Sequence, residues 1–199
     1  MVDIYSTLTT NLILLGTASF MIIVALSFSS FSFSKFVITR KGTIAKVIIG
    51  SLLGVLAIYG SYMGTRLPNG TIVNVRELAT MIAGVTGGPF AGLIAGLIGG
   101  IHRYTLGGAT ALPCMISTIV IGLISGLVST KMLGKMYLLK GALLGIVCES
   151  FAMGLILLIV QPFETAVNIV TQIAFPMITA NTIGLVLWLY LFSRFNVLH

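Results

Sequence analysis

Residues 74–106 read NVRELATMIAGVTGGPFAGLIAGLIGGIHRYTL. This is an apolar stretch opened by Arg76, closed by Arg103 and divided by Gly87-Gly88-Pro89. Whether it crosses a bilayer once or twice is decided by the charges on either side of it. Lys35, Arg40, Lys41 and Lys46 lie before it, and Lys131, Lys135, Lys140 and Arg194 lie after it. Lysine and arginine concentrate in cytoplasmic loops, so all eight belong on one side. The segment from 66 to 110 must then cross an even number of times. The stretch is therefore expected to be two crossings bent at Gly87-Gly88-Pro89. Its first half, 74–87, would be about 21 Å long, which is short for a hydrocarbon core of about 30 Å.

Working outward, further apolar stretches fall at 9–30, 43–65, 110–131, 138–160 and 168–193. At about 20 residues per crossing, the expectation is seven transmembrane helices, with the N-terminus outside and the C-terminus cytoplasmic. The first stretch reads as an anchor helix. It begins with Asp3, carries no basic residue at its start and lacks an A-x-A site, so it is not a cleavable signal.

Composition agrees with this. Of 199 residues, 57% are hydrophobic and 8% charged, against about a quarter charged in soluble domains. The expected fold is an all-α integral membrane protein without a soluble domain. Disorder, a disulfide scaffold, a coiled coil and a nucleic-acid binder are excluded by the same figures. The net charge of +7, from 11 basic and 4 acidic residues, is topological. Cys114 and Cys148 sit in apolar runs and read as packing residues.

Three basic residues break the inside rule: Arg66, Arg76 and Arg103 fall at the extracellular side. Asn74-Val75-Arg76-Glu77 opens one helix, and Ile101-His102-Arg103-Tyr104 closes the next near the same face, so the two arginines can converge. Pro113-Cys114-Met115-Ile116-Ser117 starts the following helix, with Cys114 and Ser117 three apart on one face. An arginine at membrane depth pairs or faces a cavity. Two readings remain open. Either Arg76 and Arg103 hold a small carboxylate bidentately, with Cys114 and Ser117 at its keto oxygen or methyl group, or Arg76 pairs with Glu77 or Glu164 while Arg103 snorkels to headgroup phosphate.

Gly84, Gly88, Gly92, Gly96 and Gly100 form a small-residue stripe that reads as close helix packing, extended by Gly122 with Gly126 and Gly141 with Gly145. Gly107-Gly108 forms the outer turn. Glu149 lies mid-helix and is expected either to be a protonated, hydrogen-bonded core residue or to partner an arginine, with a proton relay ranked below both. Pro176 with Asn181 suggests a kink with a polar contact. His102 is expected to hydrogen-bond at its helix end, and His199 is terminal. The residues show no metal set, nucleotide loop or hydrolytic constellation, so no cofactor is expected.

Taken together, Asn74-x-Arg76-Glu77, Gly87-Gly88-Pro89-x-x-Gly92-x-x-x-Gly96, His102-Arg103-Tyr104 with Gly107-Gly108, and Pro113-Cys114-x-x-Ser117 resemble the membrane sensor region of LytS-type sensor histidine kinases over roughly residues 40–195. The closest resemblance is to the pyruvate-sensing, BtsS-like branch. It implies a ligand site at Arg76, Arg103, Cys114 and Ser117; around it, Asn74, Glu77, His102 and Glu149 are expected from their own positions as supporting neighbours. It also implies extracellular pyruvate or a similar 2-oxo carboxylate as ligand, a homodimer in the bacterial cytoplasmic membrane, and a cytoplasmic kinase with its response regulator as output.

The family is distantly similar to the substrate-binding subunits of energy-coupling-factor vitamin transporters. Residues 43–195 would be that six-helix unit, 1–42 an anchor helix with its basic loop, and 196–199 a short cytoplasmic end. Family members continue into a GAF-like domain and a kinase where this chain stops, so kinase activity does not carry over to these residues. The alternative function is a transport component for a small anion.

Overall fold

The structure, a computed structural model, describes residues 42–68, 70–132 and 136–194. The anchor helix expected over 9–30, the basic loop of Lys35, Arg40 and Lys41, and Lys135 lie outside these residues. Five helices are described: α1 (Thr43–Tyr62), α2 (Arg76–Thr105), α3 (Ala111–Leu127), α4 (Tyr137–Ile159) and α5 (Phe163–Arg194). Four of them, all but α3, are long and apolar enough to cross a membrane. A short antiparallel ribbon, β1 (Thr65–Arg66) with β2 (Ile72–Val73), is added to the helical fold that composition alone suggests.

Gly88 breaks α2. Its φ of 81° and ψ of −173° are not helical, and Pro89 behind it supplies no amide hydrogen to restore the ladder. The two limbs, 76–87 and 89–105, then run back along each other. A Cβ on Gly92 would come 2.9 Å from Cα of Gly84, and one on Gly99 would come 3.7 Å from Cδ of Arg76. Limb 76–87 is buried along its whole length, so α2 places a half-length helix of about 18 Å at the centre of the bundle.

Small residues make this closeness possible. On limb 89–105 the buried positions are Ala91, Gly92, Ala95, Gly96, Gly99, Gly100 and Arg103, a stripe at helical period. Arg103 is the last position of that stripe and therefore points inward with it. Gly96 lies against the backbone of Thr118 and Ile119, and Gly84 against that of Gly122 and Gly126, so α3 seats on both limbs. Gly50 and Gly54 bring α1 against Ala91, Ile94 and Ile98. On the far side, Gly141 and Gly145 let α5 approach α4 at Leu189 and Thr182. These are the close approaches that small-residue seams provide where lipid offers no hydrophobic drive.

The described lysines gather at one end, while the exposed Arg66 stands at the other as an electrostatic neighbour of Arg103. Lys46 lines a cleft with Gly87, Gly88, Pro89, Ser129 and Thr130. Lys140 donates to the carbonyl of Lys131 at 2.8 Å, and Tyr137 pairs with Ser193 at 2.7 Å, next to Arg194. The helix α5 starts at Phe163, five residues before its apolar run. Pro162 precedes it, and Glu164 sits in its first turn, where a negative charge suits the helix dipole. It continues through Pro176 as one helix.

Candidate functional site

The first turn of α2 is deep in the bundle, so its backbone amides need partners that water cannot supply. Asn74 Oδ1 accepts from the Arg76 amide at 3.1 Å. Asn181 Oδ1, from α5, accepts from the Leu78 amide at 3.2 Å. The polar contact expected at Asn181 is therefore a cap on another helix.

Arg76 and Arg103 are both fully buried, which replaces the snorkelling alternative for Arg103 with an inward-facing guanidinium. Arg76 forms an ion pair through Nη2 with Oε1 of Glu77, and its Nε donates to Thr118 Oγ1 at 2.8 Å. Glu164, the other carboxylate considered for this arginine, is exposed. Arg103 Nη1 donates to the Gly107 carbonyl at 2.8 Å and Nη2 to Thr110 Oγ1 at 2.9 Å. Gly107 and Gly108 take positive φ values of 70° and 90°, and this backbone turns the Gly107 carbonyl toward the guanidinium.

Cys114 and Ser117 lie on the buried face of α3. The Cys114 side chain is an electrostatic neighbour of both arginines. Ser117 Oγ donates to the Cys114 carbonyl at 3.0 Å. Glu149 approaches from α4, fully buried, with Glu77 and Arg76 as its electrostatic neighbours. His102 stands at the rim, its ring 4.9 Å from that of Tyr62. Its Nδ1 has no hydrogen-bond partner among the described residues, and its carbonyl accepts from Thr105 Oγ1 at 2.7 Å at the helix end.

Thr118 and Thr110 are site residues that the sequence reading passed over. Thr118 is four residues after Cys114 and so shares its face. Thr110 precedes the first turn of α3, where a threonine reads as an ordinary cap. Neither pattern announces an arginine partner.

Within this cluster several polar atoms are buried without a hydrogen-bond partner among the described residues: Arg76 Nη1, Arg103 Nε, Glu77 Oε2 and both oxygens of Glu149. Buried polar groups are paired as a rule. Two unused guanidinium donors and a thiol, enclosed by apolar helices, are equipped to receive a small anion.

The molecule is thus a multi-pass membrane protein with a polar site built inside its helices. The chain belongs to the 5TMR-LYT family: the model 5TM-5TMR_LYT, described as 5TMR of 5TMR-LYT, matches residues 30–194. It is 38% identical to the sensor histidine kinase BtsS of Escherichia coli K12 over 145 residues, which is 69% of this chain and 26% of that protein. It is 34% identical to the sensor protein LytS of Bacillus subtilis 168 over 164 residues, 73% of this chain and 28% of that protein. The sensor histidine kinase YpdA of Escherichia coli K12 is 35% identical over 135 residues, 67% of this chain and 24% of that protein. The matched region thus spans about a quarter of the length of these relatives. No solved structure matches the chain.

Proposed function

We propose that this chain is the ligand-binding membrane domain of a LytS-type two-component sensor, and that it takes pyruvate or a similar small 2-oxo monocarboxylate between Arg76 and Arg103. The observation that carries this reading is the pair of unused donors, Arg76 Nη1 and Arg103 Nε, buried in one cluster with Cys114. One carboxylate with two acceptor oxygens satisfies both, and charge-assisted bonds of this kind are the strong ones. The keto oxygen then falls to Ser117 and the methyl group to the Cys114 side. Asn74 and Glu77 fix the Arg76 side of the site, and His102 its rim.

In this reading the lysine end is cytoplasmic and the arginine end outside, in the bacterial cytoplasmic membrane, with seven crossings in all. An N-terminal helix precedes a six-helix unit similar to the vitamin-binding subunits of energy-coupling-factor transporters. The output, through a homodimer, is a cytoplasmic kinase and its response regulator. A transport component for the same anion is the second reading, favoured by the carboxylate of Glu149 at membrane depth.

Calorimetry of the detergent-solubilised protein with pyruvate tests the site. Arg103→Ala removes a charged contact, which costs about 2 kcal/mol, or roughly 30-fold in Kd. Arg103→Lys restores charge without the planar fork and falls between. If both variants bind pyruvate as the wild type does, the ligand lies elsewhere.

A further inference from the structure

Glu149 is the charged-type residue of the cluster with no partner to show for its position. It lies on the inward stripe of α4 with Gly145, Cys148, Ala152 and Met153. It is fully buried, and neither carboxylate oxygen meets a donor among the described residues. The groups that face it are few. From α2 come Arg76, already paired, and Glu77. On its own helix, Cys148 adjoins it and contacts Ser125 of α3. The titratable group of α3 is Cys114, which lies against the arginines, and α5 carries its charges at Glu164 and Arg194, at its two ends.

Counting Arg76, Arg103 and Glu77, the cluster holds one net positive charge. An ionised Glu149 would cancel it. It would also leave a buried carboxylate with no hydrogen bond, an arrangement proteins avoid.

We propose that Glu149 stands in the site as a neutral carboxylic acid and thereby sets the anion the arginines accept to a single negative charge, which makes ligand binding proton-linked. The inference rests on the carboxylate site described above. With Glu149 neutral, a monocarboxylate brings the cluster to zero net charge, and a dicarboxylate overshoots it in a medium where unbalanced charge is poorly screened. When Glu149 loses its proton, the site is already neutral and the anion is released. Only the protonated form then binds. As pH rises above the Glu149 titration, affinity falls tenfold per pH unit.

The test is calorimetry with pyruvate and with malonate, from mildly acidic to alkaline pH, on wild type and Glu149→Gln in detergent. The expected result is a wild-type pyruvate affinity that falls tenfold per pH unit on the alkaline side, and a Glu149→Gln affinity that stays at the acidic wild-type value throughout. Malonate, compared at neutral to alkaline pH where both of its carboxyls are ionised, should bind neither protein. Glu149→Met, also neutral, is the second variant if the glutamine fails to fold, with the same flat profile expected. Identical pH profiles for wild type and variant, both binding pyruvate, overturn this inference and leave the carboxylate site standing. Loss of pyruvate binding in a folded Glu149→Gln overturns it too. Pyruvate binding to neither protein at any pH overturns the carboxylate site, and this inference with it.

Discussion

Thr118 stands between the two charges of the buried ion pair. Its Oγ1 accepts from Arg76 Nε at 2.8 Å, lies 3.2 Å from Glu77 Oε1 and donates to the Cys114 carbonyl at 2.7 Å. One hydroxyl thus ties α2 to α3 and holds Nε of the Arg76 guanidinium. Removing it leaves a buried charged donor without an acceptor. Thr118→Val is nearly isosteric, and it should destabilise the protein by about 1–3 kcal/mol, whereas Thr118→Ser should stay close to wild type. Thermal unfolding in detergent checks this, and equal midpoints for the two variants would show that the hydroxyl is not what holds the arginine. At this scale the sequence was informative about residue types. Arg76, Arg103 and Cys114 are legible in it and are buried electrostatic neighbours, and Ser117 is buried on the same helix face as Cys114. The threonines are not legible, because a hydroxyl in an apolar helix bonds its own backbone as a rule.

At the scale of elements, α2 owes its shape to two different uses of glycine. Gly88 has open space around its Cβ position, so its requirement is conformational: φ of 81° is a region that L side chains rarely adopt. Gly92 has the opposite problem. A Cβ there would run into the carbonyl of Gly122. Gly92→Val should therefore force α2 from α3 and lower thermal stability sharply, by more than about 2 kcal/mol. Gly154, in α4, has nothing within 4 Å of its Cβ position. Gly154→Ala should be neutral or raise stability by up to about 1 kcal/mol through helix propensity. If the two substitutions shift the unfolding midpoint alike, the α2 to α3 seam is not the tight contact described. The bend was legible from Gly-Gly-Pro and the flanking lysines. The early start of α5 is not legible from hydropathy, because the apolar window begins after Pro162 and Glu164.

For the whole molecule, the arginine cluster lies above a filled interior. Leu78, Met81 and Ile82 are fully buried, and Val85 is nearly so, between the cluster and the lysine end. An anion passing through would have to unpack that limb, whose backbone is in contact with α3. Binding without passage is the outcome this packing favours. Proteoliposomes carrying the protein should accumulate labelled pyruvate no faster than protein-free vesicles. Clear uptake would overturn the sensor reading in favour of the transport one.

By itself the sequence determined the solvent, the break at Gly88 and the inward path of the small-residue stripe. Each follows from composition or from a period within one helix. The arginines were legible for the same reason, as charges where charge is costly. Only the tertiary structure decided their partners. Arg76 meets Thr118, 42 residues away, and the Leu78 amide meets Asn181, 103 residues away. The choice of Glu77 over Glu164, the burial of Arg103 and the unpartnered position of Glu149 likewise follow from how α2, α3 and α4 close on one another. A local pattern specifies which face a side chain takes, but what that face meets is set by the packing of helices far apart in the chain.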